Sequence, residues 1–116
     1  ARVSGTKRDG VKKWEMIKSL LPSGSVSGAP RSRVIPHLDA VEKGSRGIYC
    51  GAMGWWAYGG DFKLSLPIRT FVAHGKNLEY NVGSGITWRS DPEKEWEECK
   101  IKANCLNESF KGVIAW

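Results

Sequence analysis

The sequence has no long apolar run and few cysteines. None of its hydrophobic runs approaches the roughly 18 residues that a membrane-spanning helix needs, and no signal peptide is recognisable at its start. Its three cysteines, Cys50, Cys99 and Cys105, cannot all pair with one another and form no CxxC motif. We therefore expect a cytoplasmic protein with no membrane partner, whose cysteines are reduced packing residues.

The sequence also lacks a continuous basic block and an internal repeat. Eighteen Lys and Arg against 12 Asp and Glu give a formal charge of +6, which favours acidic partners such as nucleic acids or small polyanionic metabolites. The basic residues are scattered, and this distribution gives little support for an extended nucleic-acid-binding stripe.

The 116 residues, 41% hydrophobic and 26% charged, make one globular domain's worth of chain. The first residue is Ala1 and not methionine, so we expect a fragment or a processed piece of a protein.

Three segments show helical patterns. Apolar residues recur at helical spacing from Val11 to Leu21, and a second helix is predicted from about Pro30 to Lys43. Pro36 should kink that helix or shorten its first turn. The third helix should begin at Pro92, capped by Ser90 or Asp91, and run to about Phe110. Its apolar residues are Ile101, Ala103, Cys105 and Leu106.

Between the second and third helices the pattern changes to strands. Ile48–Tyr58 is aromatic and small, as in a buried strand, and the next segment, Phe62–Arg69, alternates apolar and polar residues. Pro67 indicates an edge position or a bulge there. A third strand is predicted over Leu78–Val82. The fold class is therefore α+β, with helices around a three-stranded antiparallel meander.

Two features that suit ligand binding follow the predicted third strand. Gly83-Ser84-Gly85 can turn backbone N–H groups towards an anion, since its glycines have no Cβ to obstruct it. Glu95 and Glu98, three residues apart, should share one face of the third helix, and paired carboxylates suit Mg²⁺. The alternatives are an ordinary turn and a solvated acidic face.

A second loop, within Leu21–Arg31, has two glycines, three serine hydroxyls and a proline at the predicted start of a helix. Its hydroxyls, including that of Ser25, and the helix-terminal N–H groups could hold an anion. Serine-glycine loops are also common as linkers.

Five blocks in this order resemble the C-terminal part of the chorismate-utilising enzymes. Within them the chain is most similar to aminodeoxychorismate synthase component I, because Ser25 follows Gly24 and Cys50 follows Tyr49, and next to anthranilate synthase component I. The blocks are Gly24–Pro30, Arg46–Gly54, Ile68–Thr70, Gly83–Ile86 and Asp91–Ala103.

The resemblance implies how the two carboxylates of chorismate are held. The ring carboxylate would lie on Mg²⁺ bound by Glu95 and Glu98, near the Ser25 hydroxyl. The enolpyruvyl carboxylate would be bound by side chains and amides on the other side, and Lys102 would face the substrate. The residues implied for this second carboxylate are Tyr49, Arg69, Gly83, Ser84 and Gly85.

The implied reaction converts chorismate and ammonia to 4-amino-4-deoxychorismate, the precursor of p-aminobenzoate and folate. The alternative product is anthranilate, for tryptophan biosynthesis. A glutamine amidotransferase subunit would supply ammonia, and the catalytic acid/base groups would lie in an N-terminal portion upstream of Ala1. We therefore expect no catalytic residue in this chain, no turnover by it alone, weak metal binding and an exposed sheet edge that the upstream portion would pair with.

Three residues depart from the family pattern. Arg31 stands where lysine is usual, Lys63 lies near a position that is usually acidic or amide, and Pro36 falls in a helix that is unbroken in relatives.

A different class of function is a basic module that binds single-stranded nucleic acid by stacking on Trp55, Trp56 and Trp88. We do not expect nucleic acid as a partner, because the sequence pattern predicts that the segments with these tryptophans are buried. Salt-sensitive binding in a gel shift would distinguish this module from an enzyme fragment.

Overall fold

The computed structural model describes residues 2–109, apart from the side chains of residues 105–109. Helices and small antiparallel sheets make up this part of the chain, which confirms the predicted α+β class. In chain order the elements are α1 Lys13–Leu20, α2 Gly24–Ser27, α3 Arg31–Val41, β1 Met53–Trp56, β2 Phe62–Ser65, β3 Phe71–His74, β4 Asn77–Tyr80 and α4 Pro92–Ser109.

The first two predicted helices are present but shorter than expected. In α1, Ile17 is buried, whereas Trp14 and Leu20 of the same apolar pattern are exposed. Helix α3 continues through Pro36, although this residue has no N–H to donate to the preceding turn. Arg31 is explained by its contacts, since its guanidinium donates to the carbonyls of Ser19 at 2.7 Å and Pro22 at 3.1 Å and so ties α3 to the end of α1.

The strands form two separate hairpins, where the sequence predicted one three-stranded meander. β1 pairs with β2, and β3 pairs with β4, both antiparallel. The connection between the hairpins contains Pro67, which has no N–H for a ladder, and Arg69, whose φ of 53° lies in the left-handed region. An extended strand therefore cannot run through this connection. Strand β3 was not predicted.

The predicted start of α4 is confirmed, with Pro92 as its first residue and a capping hydrogen bond from the Lys94 N–H to Asp91 Oδ1 at 3.1 Å. The predicted end at Phe110 and the inward placement of Cys105 and Leu106 lie outside the described residues and side chains. In the part of the chain that the structure describes, no helix has the length and apolar character needed to span a bilayer.

Few apolar side chains are buried. Among the described residues, the buried hydrophobic ones are Ile17, Cys50 and Ala103. The Cα radius of gyration is 17.2 Å, against about 13 Å for a compact domain of roughly 100 residues. The prediction that the tryptophans are buried is wrong, because Trp55, Trp56 and Trp88 are 56%, 51% and 100% exposed. These rings belong to an open structure with little core to cover them.

Gly54 provides a test of the first hairpin. A Cβ at this position would lie 1.9 Å from the Lys63 carbonyl oxygen of the paired strand, so the Gly54→Ala variant must separate β1 from β2. We expect a loss of about 1–3 kcal/mol in the free energy of unfolding, the usual cost of overpacking, measured by urea unfolding with tryptophan fluorescence. Gly59→Ala is the matched control, since its Cβ would meet nothing within 4 Å. Equal midpoints for the two variants would contradict the hairpin geometry.

Candidate functional site

The first turns of α4 place the predicted carboxylates. Glu93 and Glu95 lie in the first turn, where the helix dipole favours negative charge. Glu98 and Lys102 follow at spacings of three and four residues, so Glu95, Glu98 and Lys102 project from one side of the helix. Among these three, Glu98 is the most exposed to solvent, with 52% of its side chain accessible. The helix thus presents two glutamate carboxyl groups and one lysine ammonium group to the preceding loop.

Ser84 connects that loop to Glu95. The Ser84 hydroxyl donates to Glu95 Oε2 at 2.5 Å. This hydrogen bond is the main reason that the pKa of Glu95 is lowered from 4.5, followed by a hydrogen bond from Ser90 and the positive charge of Lys102. Glu95 is therefore a carboxylate at neutral pH, the form that a cation requires.

Lys102 makes the second connection between the loop and the helix. Its ammonium group forms an ion pair with Glu98 Oε1 and donates to the Gly83 carbonyl at 2.8 Å. Its side chain is 22% exposed. The loop Gly83–Gly85, which we call the glycine loop, is thus fastened to α4 at two consecutive residues, Gly83 and Ser84.

Tyr49 packs against the glycine loop from the other side. A Cβ at Gly83 would lie 2.9 Å from Tyr49 Oη, so the phenol and the loop backbone approach as closely as only glycine permits. Burial, followed by the neighbouring Cys50, raises the pKa of Tyr49 to about 12, with a smaller opposing effect from Arg46. Tyr49 is therefore a neutral hydroxyl at physiological pH and can act as a hydrogen-bond donor.

Arg69 takes no part in the contact between Tyr49 and Gly83, although the segment before it lies beside Tyr49. The Cys50 N–H donates to the Pro67 carbonyl at 3.1 Å, which brings the segment before Arg69 beside Tyr49. Cys50 and Arg69 are the non-glycine residues with positive φ in the described range, at 62° and 53°. Such backbone strain concentrates at functional sites. The Arg69 side chain is exposed, and within residues 2–109 no hydrogen bond or ion pair holds its guanidinium.

Ser25 lies in the short α2 turn, where its hydroxyl shares a hydrogen bond of 2.9 Å with Ser23 Oγ. Ser25 is exposed, and within residues 2–109 its neighbour Val26 is linked to the Tyr49 segment through Arg46. The Arg46 guanidinium donates to the Val26 carbonyl at 3.4 Å, and the Arg46 carbonyl accepts from the Tyr49 N–H at 2.9 Å.

Six of the nine predicted site residues are joined by direct contacts, and Ser25, Arg69 and Gly85 stay outside them. The connected residues are Tyr49, Gly83, Ser84, Glu95, Glu98 and Lys102.

Sequence reasoning missed the role of Arg46. Besides its contact with Val26, its guanidinium binds both oxygens of Glu42, with Nε at 3.1 Å and 2.8 Å from them. Helical spacing could not predict this pair, because α3 ends at Val41, before both residues. Arg46 and Tyr49 also line an open cleft of about 560 Å³ between α3 and the segment before β1.

Glu95 and Glu98 fit Mg²⁺ in their donor chemistry. Mg²⁺ is usually held by one or two carboxylates and completes its coordination with water and substrate. Glu95 is ionised and has one oxygen, Oε1, outside the Ser84 hydrogen bond. Within residues 2–109, no cluster of three or more His, Cys, Asp or Glu side chains is placed to hold a metal. A cation here would therefore depend on two carboxylates and on ligands from elsewhere.

The burial of Tyr49 predicts that its hydroxyl loses its proton at a higher pH than an exposed tyrosine does. Since its folded pKa of about 12 exceeds the unfolded value of 10.0, its stabilising effect is fully present below pH 10 and is lost as pH rises through the folded pKa. We expect the carbon-13 chemical shift of Tyr49 Cζ to change only at pH values well above 10 while the chain stays folded. The signal would be assigned with the Tyr49→Phe variant in carbon-13-labelled protein. Titration of Tyr49 at pH 10 in the folded protein would contradict its burial beside Cys50.

Comparison with known proteins places this chain in a family. The family model described as chorismate binding enzyme matches residues 1–108. Among similar proteins, anthranilate synthase component 1 of Neisseria meningitidis is 36% identical over 106 residues, which is 91% of this chain and 22% of that protein. The chloroplastic aminodeoxychorismate synthase of Arabidopsis thaliana is 36% identical over 100 residues, 86% of this chain and 11% of that protein.

A probable aminodeoxychorismate synthase of Oryza sativa is 38% identical over 101 residues, 87% of this chain and 11% of that protein. None of the solved structures matches this chain significantly. The chain thus spans about a fifth or less of the length of the curated relatives it matches. Because the family model covers nearly the whole chain, the chain belongs to the chorismate binding enzymes.

Proposed function

We propose that this chain supplies part of the chorismate site of an aminodeoxychorismate synthase component I. The observation that carries the proposal is the attachment of the glycine loop to α4. Ser84 contacts Glu95, and Lys102 contacts both Gly83 and Glu98. A candidate anion-binding loop and a candidate cation-binding pair therefore lie side by side, as a substrate with two carboxylates requires.

On this proposal each carboxylate of chorismate has its own partners. The ring carboxylate would bind Mg²⁺ held by Glu95 and Glu98. The Ser25 hydroxyl, which is hydrogen-bonded to Ser23 in the described structure, would also face this carboxylate. When bound, Mg²⁺ supplies Lewis-acid stabilisation of the charge that develops as the ring hydroxyl leaves and an amine adds. Lys102 faces the substrate from the same helix face and balances the two acids.

The enolpyruvyl carboxylate is held on the other side by Arg69, Tyr49 and the glycine loop. Arg69 offers two parallel N–H donors, and its guanidinium is not engaged by the described part of the chain. Tyr49 donates from its neutral hydroxyl. The amides of Gly83, Ser84 and Gly85 provide further donors, because the glycines let the backbone approach the ligand closely.

Two products fit this site. The residues Ser25 and Cys50 favour 4-amino-4-deoxychorismate, made for p-aminobenzoate and folate. Anthranilate, for tryptophan biosynthesis, is the second candidate, supported by the 36% identity to anthranilate synthase component 1 of Neisseria meningitidis. In both cases a separate glutamine amidotransferase would supply ammonia, and the cytoplasm would be the compartment.

The same proposal accounts for the open apolar surface. The similar anthranilate synthase is several-fold longer than the matched segment, so the exposed side chains of the first hairpin, such as Trp55 and Met53, would be covered by an N-terminal portion that also brings the acid/base groups. The exposed tryptophans also suit stacking on single-stranded nucleic acid. Family membership favours the first explanation, and the absence of nucleic-acid binding stays a prediction.

Chorismate binding tests the proposal. We expect calorimetric titration of the purified chain to show weak chorismate binding that is strengthened by Mg²⁺. Arg69→Ala should weaken binding with or without Mg²⁺, by roughly tenfold for the loss of one charged hydrogen-bonding partner. Glu98→Ala should abolish only the Mg²⁺-dependent part.

Arg33→Ala and Glu93→Ala are matched controls, because both residues are exposed and lie outside the candidate site. Equal losses in the site and control variants would contradict the proposal, as would chorismate binding that is indifferent to both Arg69 and Glu98.

A further inference from the structure

We propose that Ser84 is a positioning residue that orients the Glu95 carboxylate for a divalent cation. This inference rests on the proposed metal role of Glu95 and adds a residue that would act through it. Its basis is the 2.5 Å hydrogen bond from Ser84 Oγ to Glu95 Oε2, which joins a loop residue to a residue of α4. The bond is not a local consequence of helix geometry, since Ser84 lies outside α4.

The hydrogen bond fixes one oxygen of Glu95, because Oε2 accepts from Ser84. A carboxylate has about four lone-pair sites, so it can accept from Ser84 and Ser90 and still bind a cation. A glutamate side chain on a helix has several accessible rotamers, and fixing one of its oxygens removes most of that freedom. Hydrogen-bonding partners of this kind typically change metal affinity 10–100-fold when they are removed.

The donor is itself held in place. The neighbouring residue Gly83 accepts a 2.8 Å hydrogen bond from Lys102 at its carbonyl and lies against Tyr49 Oη. Ser84 is half-buried. The hydroxyl therefore approaches Glu95 from a backbone that two contacts hold at the preceding residue, Gly83, and such support favours a positioning contact.

Ser84 and Lys102 act differently towards a cation. Lys102 carries a positive charge and forms an ion pair with Glu98, so a cation at Glu98 must compete with it. The Ser84 hydroxyl is neutral and can keep its hydrogen bond while the Glu95 carboxylate binds metal through a remaining lone pair. Loss of the Ser84 hydroxyl should therefore weaken metal binding.

The test is a titration of the purified chain with Mn²⁺ as a paramagnetic substitute for Mg²⁺, with free Mn²⁺ measured by electron paramagnetic resonance. We expect Ser84→Ala and Ser84→Gly to raise the Mn²⁺ dissociation constant at least tenfold. Ser84→Thr, which keeps the hydroxyl, should stay within about threefold of the unmodified chain. Ser32→Ala is the matched control, because Ser32 is an exposed serine on α3 and should leave the dissociation constant unchanged.

Glu95→Gln separates this inference from the proposed function. If Glu95→Gln weakens Mn²⁺ binding and Ser84→Ala does not, the role of Ser84 is overturned while the metal role of Glu95 stands. If the unmodified chain binds no Mn²⁺, or if Glu95→Gln has no effect, both are overturned. Support requires that Ser84→Ala add little further loss to Glu95→Gln, since the two residues then act through one contact. Near-ultraviolet circular dichroism of each variant checks that the fold is kept.

Discussion

The attachment of the glycine loop to α4 is the constraint on which the candidate site depends. Two contacts make it, the Ser84 hydroxyl on Glu95 and the Lys102 ammonium between Glu98 and the Gly83 carbonyl. Each contact uses one group from the proposed metal side and one from the proposed carboxylate side. A shift of α4 would therefore move both sides of the site together, because these contacts fix the distance between the groups proposed to bind the two carboxylates.

The rest of the described chain supports this site with few buried contacts. Single polar contacts do much of the joining, such as Arg31 on the Ser19 and Pro22 carbonyls and Arg46 on the Val26 carbonyl. Such single contacts, which are exposed or only partly buried, contribute little stability each. Among the hydrophobic residues described, only Ile17, Cys50 and Ala103 are buried. A functional site on so open a scaffold is consistent with a segment whose relatives extend well beyond it.

Sequence patterns predicted features that depend on neighbouring residues. They failed for burial and strand pairing, which depend on contacts between distant segments. The start of α4 followed from Asp91 and Pro92, whose capping chemistry is local. The burial of Trp55 and Trp56 was predicted wrongly, because an aromatic strand indicates a covering layer that the described chain does not provide. The split into two hairpins depends on the left-handed backbone at Arg69. Sequence patterns do not predict this conformation for a non-glycine residue.

In the site, the i, i+3 and i, i+4 spacings correctly placed Glu95, Glu98 and Lys102 on one side of α4. The contact of Tyr49 with Gly83 could not be read from spacing, since it joins distant segments and was implied only by family resemblance. The same resemblance implied roles for Ser25 and Arg69, which the structure does not connect directly to the other candidate residues.

The most direct test of the central claim is a chimera. The 106-residue segment of the Neisseria meningitidis anthranilate synthase component 1 that matches this chain would be replaced by the corresponding residues of this chain, and chorismate consumption measured with Mg²⁺ and ammonia. Our account predicts consumption that is lost in the chimera carrying Glu98→Ala and kept in the one carrying Glu93→Ala. A correctly folded chimera that consumes no chorismate, or one in which both variants behave alike, would contradict it.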